Sequence, residues 1–97
     1  MMFIVREVMI AKPGSAGKLA KMMKEMSEMW GGKTKVMLDF VTDFNKIVFE
    51  HEVESLADFE KEMDEWKKNA SPEMKEKMKG YTDLYQSGKR EIYRVVE

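Results

Sequence analysis

The apolar residues of this chain change period several times, and each change marks an element. From Phe3 to Ala11 both phases of a two-residue repeat are apolar: Phe3, Val5 and Met9 on one side, Ile4, Val8 and Ile10 on the other. A strand covered on both faces has this pattern, so it belongs at the centre of a sheet. Lys12-Pro13-Gly14 ends it. Spacings of three and four follow. Leu19, Met22, Met23, Met26, Met29 and Trp30 form one stripe, with Lys18, Lys21, Lys24, Glu25 and Glu28 on the other side. That predicts an amphipathic helix, with Ser15 as N-cap and Gly31-Gly32 as its stop. Alternation then returns over Thr34 to Thr42 and Lys46 to Glu54, joined by Asp43-Phe44-Asn45. So short a connection predicts a hairpin. In its second strand Ile47, Phe49, His51 and Val53 share one phase, and Val48, Glu50 and Glu52 the other.

A second helical stripe, Leu56, Phe59, Met63 and Trp66, follows Ser55, whose spacing to Asp58 is that of a capping box. Asn69-Ala70 interrupts it, and Ser71-Pro72-Glu73 restarts helix, with proline in the first turn where its missing N–H costs nothing. Met74, Met78, Tyr81 and Tyr85 continue the stripe. Ser87-Gly88 predicts a turn, and Arg90 to Val96 a last strand.

The order is therefore β-α-β-β-α-(α)-β, an α+β chain with a four-stranded antiparallel sheet and a ferredoxin-like plan. Right-handed crossovers place both long helices on one face of the sheet. The other face, to which Ile4, Val8, Ile10, Met37, Val41, Val48, Ile92 and Val96 are assigned, is too apolar to lie in water. A second copy, sheet against sheet, would cover it, so a homodimer is expected.

Composition narrows the possibilities. With 97 residues and no linker or repeat, residues 1–97 form a single domain. Cysteine is absent, which removes disulfides and thiolate metal sites and fits a reducing, cytoplasmic setting. Seventeen basic residues face eighteen acidic ones, so the basic stripe of a nucleic-acid partner is missing. No apolar run approaches the roughly 20 residues of a membrane span. Arg6 and Glu7 break the N-terminal apolar run that would otherwise resemble a signal sequence.

Candidate chemistry is sparse. Met22, Met23, Met26 and Met29 offer soft sulfur near one another, but no cysteine or histidine stands nearby in sequence, and methionine is a flexible filler of irregular cores. Their role is packing, with no metal. Trp30, Phe59 and Trp66 have the helical spacing of core residues. Of the polar residues, His51 is the only histidine, and its strand phase turns it toward the helices. Glu7 shares that side on the first strand, and Tyr93 is assigned to it on the last. If register joins them, His51 is a general base and Tyr93 a hydrogen-bond donor in a pocket that also holds Glu7, Phe49 and Trp66; the alternative is a half-buried structural histidine bonded to a backbone carbonyl or a neighbouring carboxylate. Arg6, Asp39, Glu50, Glu52, Arg90 and Arg94 are assigned to the opposite phase, as ion pairs at a dimer seam. An anion clasped by Arg6 and Arg94 is the alternative. No phosphate loop, hydrolase elbow or cofactor motif is present.

The first strand ending in Lys12-Pro13-Gly14, the helix, the hairpin and the closing Ser87-Gly88-Lys89-Arg90-Glu91-Ile92-Tyr93-Arg94-Val95-Val96 resemble the dimeric α+β-barrel superfamily. Within it they are most similar to NIPSNAP-like proteins and small antibiotic-biosynthesis-monooxygenase-type domains. The resemblance implies two four-stranded sheets meeting as a barrel, helices outside, and a cavity between sheet and helices. It implies a homodimer that binds a small apolar or aromatic molecule, commonly without cofactor. The alternative it carries is a cofactor-independent monooxygenase or isomerase acting on a small aromatic compound, with His51 as base.

Overall fold

A computed structural model describes residues 2–30, 34–41 and 44–97, the side chains of Met29 and Trp30 excepted. The predicted stop at Gly31-Gly32 and the predicted strand end at Thr42 lie outside the described residues. The chain runs β1 (Phe3–Ala11), α1 (Ala16–Trp30), β2 (Thr34–Leu38), β3 (Lys46–Val53), α2 (Leu56–Asn69), α3 (Pro72–Lys77), a 3-10 turn (Tyr81–Asp83) and β4 (Tyr85–Arg94). The four strands form one antiparallel sheet in the order β2-β3-β1-β4. The doubly apolar β1 is thus central, paired with β3 on one side and β4 on the other.

Local chemistry explains most boundaries. Ser55 caps α2, its Oγ accepting from the Asp58 N–H at 3.1 Å. Ser71 caps α3 in the same way, accepting from Met74 N–H at 3.1 Å, with Pro72 in the first turn. Gly80 takes φ 81°, the left-handed conformation that lets the chain leave α3 and enter the 3-10 turn. At the tip between β2 and β3, Phe44 and Asn45 both have positive φ, 73° and 58°. Asparagine tolerates that region; phenylalanine does so only at a cost.

Expected boundaries of β2 and β4 move. β2 stops at Leu38, and Phe40 and Val41 project into solvent, 99% and 84% exposed. β4 starts at Tyr85, so Ser87-Gly88 lies inside a strand and makes no turn. The register explains this. Ser87 pairs with Ile10 and Gly88 with Met9, while Ala11 pairs with Tyr85, leaving Gln86 as the extra residue of a bulge. The bulge absorbs the irregularity that the sequence suggested was a turn.

The helices lie on one face. α1 packs across β2, β3 and β1, and α2 packs against β3. Ala11, Leu19, Met23, Ile47 and Phe49 form the main buried cluster, and Val5, Val53 and Phe59 a second. The molecule is 19 Å deep in its shortest direction, the thickness of one sheet and one helical layer. The outer sheet face carries Ile4, Val8, Ile10, Val48 and Met37, together with an Arg6–Glu50 ion pair at 2.8 Å. β4 lies beyond the helices, so even on the helix side its Ile92 is 41% exposed.

Register also corrects the assigned phase of β4. Arg90 pairs with Glu7, Ile92 with Val5 and Arg94 with Phe3, so these three share the helix side of the sheet. Tyr93 pairs with Ile4 and faces outward. Every side chain of β4 is therefore on the face opposite to the expected one, the consequence of a one-residue shift in a two-residue repeat. An anion clasp between Arg6 and Arg94 is ruled out, because the two side chains leave opposite faces.

Candidate functional site

His51 occupies the middle of β3, between Val5 of β1 and Thr34 of β2. Its ring is 4% exposed. It meets the Phe49 ring edge-on at 5.6 Å and the Phe59 ring of α2 at 5.7 Å. Burial in this aromatic pocket pushes its pKa below 6.5, and the positive charge of Arg90 pushes it the same way. The imidazole is therefore neutral at pH 7. Its Nε2 lies 3.7 Å from Oε2 of Glu62 on α2. That carboxyl is itself raised above 4.5 by burial, then by Asp58 and Glu65. Glu62 Oε2 is buried and accepts no hydrogen bond among the described residues.

Glu7 and Arg90 complete the polar wall. Arg90 Nε donates to Glu7 Oε1 at 2.6 Å, and the guanidinium carbon sits 5.3 Å from the centre of the Phe59 ring. Arg90 thus bridges β4 and α2 across the part of the sheet the helices leave open. A hollow of about 140 Å³ lies beneath, with Glu7, Phe49, His51 and Arg90 on the sheet side. Met23, Met26, Met63 and Trp66 close it from the helices, and Tyr81 from the 3-10 turn. Two more hollows adjoin it. One, of about 280 Å³, runs between Met26, Trp66, Met74, Met78 and Tyr81; the other, of about 310 Å³, lies along Glu7, Tyr81, Tyr85 and Arg90. Tyr81 borders all three, and burial, first among its causes, raises its hydroxyl pKa above 10.0.

Of the sequence-derived site residues, the fold brings together His51, Glu7, Phe49 and Trp66. Tyr93 is turned away: its hydroxyl donates to Glu91 at 2.8 Å on the outer face, and its ring packs under Arg6 at 5.7 Å. Arg90, Glu62 and Tyr81 take the places around His51 that sequence left open. Arg90 required the register; Glu62 lies one turn beyond Asp58 on a helix whose charges all look solvated; Tyr81 continues the apolar stripe of the third helical segment. Met22 and Met23 are buried, consistent with packing. Among the described residues no three of His, Cys, Asp or Glu converge as metal ligands, and no helix is long and apolar enough to cross a membrane. The Trp30 ring lies outside the described residues.

No protein-family model and no curated protein matches the sequence. Solved structures match the fold. A NIPSNAP family protein from Agrobacterium tumefaciens superposes with a TM-score of 0.83 at 11% identity, over 100% of this chain and 95% of that one. An uncharacterised NIPSNAP-like domain protein from Burkholderia xenovorans gives 0.80 at 17% identity, over 98% and 85%. A candidate antibiotic biosynthesis monooxygenase from Chloroflexus aurantiacus gives 0.72 at 16%, over 100% and 95%. The chain therefore has the ferredoxin-like α+β fold that NIPSNAP proteins share with antibiotic-biosynthesis-monooxygenase-like proteins.

Proposed function

We propose that this protein is a homodimer that binds a small apolar or aromatic molecule in the hollow between its sheet and helices. The observation that carries the proposal is the character of that hollow. Methionine, phenylalanine and tryptophan make most of its wall, and one neutral histidine and one Glu7–Arg90 pair supply polarity at a single side. Ligand sites are commonly built this way, apolar over most of the surface with a few polar groups that fix orientation. The outer face supplies the argument for pairing: Val8, Val48 and Met37 stand side by side across three strands, with Ile10 next to Val8 on β1 and Ile4 beyond the Arg6–Glu50 pair.

A thermal-shift series with aromatic acids, quinones, haem and fatty acids tests the binding. A ligand at a hundredfold excess over its dissociation constant stabilises by about 2.7 kcal/mol, which is readily visible. His51→Gln should shrink the shift given by whichever class binds. No shift from any class would leave the proposal without support and assign the hollow to packing alone.

The neutral state of His51 favours a second reading, a cofactor-independent monooxygenase or isomerase acting on a small aromatic compound. A neutral buried imidazole can take a proton from an acidic O–H or C–H placed against it, and the Glu62 carboxyl beside Nε2 would stabilise the resulting cation. Tyr93 faces outward, so the hydrogen-bond donor in this scheme is Tyr81. Oxygen uptake or proton exchange with aromatic substrates measures it; His51→Ala should lower the rate about 10²–10⁴-fold.

A further inference from the structure

Beside the His51 hollow lies the groove of about 280 Å³ between α1, α2 and α3. It abuts the His51 hollow along Met26, Trp66 and Tyr81, which line both. Met26, unbranched and with three rotatable bonds, is the most easily moved part of the wall they share. Joined, they make an elongated cleft whose deep end is the aromatic pocket and whose outer half is lined by Met74 and Met78. Lys67, in the last turn of α2, and Lys75, on α3, also line the outer half, and both are exposed. Among the described residues neither makes an ion pair. Ala70, the C-cap of α2, stands between them in sequence and keeps the floor low.

From this arrangement we infer that the natural ligand is an amphiphilic carboxylate with an extended acyl chain, its tail in the His51 hollow and its head on Lys67 and Lys75. The inference rests on the binding function proposed above and assigns it a ligand class and a polarity. Each element of the cleft has a counterpart in such a molecule. The tail needs a dry, adaptable wall, and methionine supplies one that re-packs around chains of different length. The head needs positive charge in water at the rim, where pairing costs little desolvation. An uncharged aromatic ligand would use the hollow but would have no need of the two lysines. The charged wall at the deep end does not compete for the head, since Arg90 is already neutralised by Glu7.

Isothermal titration with decanoate and decanol, alongside 1-naphthol as a neutral aromatic probe, tests this on the intact protein. Decanoate should bind at least tenfold more tightly than decanol. Lys67→Gln with Lys75→Gln should erase that preference and leave decanol unchanged; both side chains are exposed, so the fold is not at stake. Ala70→Trp should fill the groove and abolish decanoate binding while 1-naphthol still binds in the hollow. Equal affinity for decanoate and decanol overturns the inference, as does undiminished decanoate binding by the double lysine variant. If 1-naphthol stabilises the protein and decanoate does not bind, the acyl ligand is refuted and the binding function stands. If nothing binds, both fall.

Discussion

His51 is the residue at which fold and chemistry constrain each other most. Its folded pKa is depressed by burial and by Arg90, while in the unfolded chain it titrates at 6.5. The unfolded state therefore binds more protons below pH 6.5, and the stability that the neutral ring contributes is lost as pH falls through its folded value. Glu62 has the opposite sign. Its folded pKa is raised above 4.5, so its contribution is complete below 4.5 and lost as pH rises through the folded value. Two results should follow. His51→Gln should flatten the fall in melting temperature between pH 7 and the acid side, and Glu62→Gln should raise the melting temperature at pH 7 by about 1–3 °C. Pairwise, Arg90→Leu should move the His51 pKa upward, though not fully to 6.5, because burial is the larger cause and remains. A proton NMR titration reads this without ambiguity, since the chain has one histidine. An unchanged value would show that the guanidinium does not act on the ring.

At the scale of elements, helix caps and turn conformations carry separable energies. Ser55→Ala removes the acceptor for the Asp58 N–H and should cost about 1 kcal/mol, read as a lower urea midpoint with unchanged slope. Phe44→Gly should act in the other direction. Phe44 is 78% exposed and holds φ 73°, so glycine relieves the backbone without emptying a core and should stabilise by about 0.5–1 kcal/mol. Destabilisation there would mean the ring is held for a contact. These elements also show what the sequence could and could not reveal. β1, β3 and the caps of α2 and α3 were legible because each is written locally, in a doubly apolar run, an alternation, or a serine three residues before the amide it caps. Those local signals also placed His51, Glu7 and Phe49 on one side. The phase of β4 was not legible. Its residues Arg90 to Val95 mix charge and apolarity on both sides, so nothing local distinguishes the two phases. The deciding fact is the pairing with β1, which is distant in sequence: Arg90 stands opposite Glu7 and Ile92 opposite Val5. Arg90 and Tyr93 exchanged places for that reason, and the candidate site changed its polar partners with them.

For the whole molecule the question is what covers the second face of a two-layer slab. Val8 is 7% exposed on that face although no helix covers it, because its neighbours in the sheet crowd it; Met37 and Tyr93, nearer the edges, are 39% and 48% exposed. Charge interrupts this face: the Arg6–Glu50 pair lies between Ile4 and Val8, and on β4 Lys89, opposite Val8, approaches Glu91 at 3.7 Å. Exposed pairs of this kind add little stability, but across a two-fold axis they would fix the register of two sheets. Val48, between Val8 and Met37 in the pairing, marks the centre. In a sheet-to-sheet dimer Val48→Glu would bring buried, unpaired carboxylates from both copies into an apolar seam. It should raise the dissociation constant by at least about tenfold, or 1.4 kcal/mol, while the far-ultraviolet spectrum of the monomer stays the same. Light scattering gives the mass, and melting gives an independent check. A dimer's melting temperature rises with protein concentration, whereas that of a monomer does not. The wild-type protein should show the rise and Val48→Glu should lose it. A wild-type chain that is monomeric at micromolar concentration, with a melting point indifferent to concentration, would refute the pairing and leave the apolar band of the outer face in water.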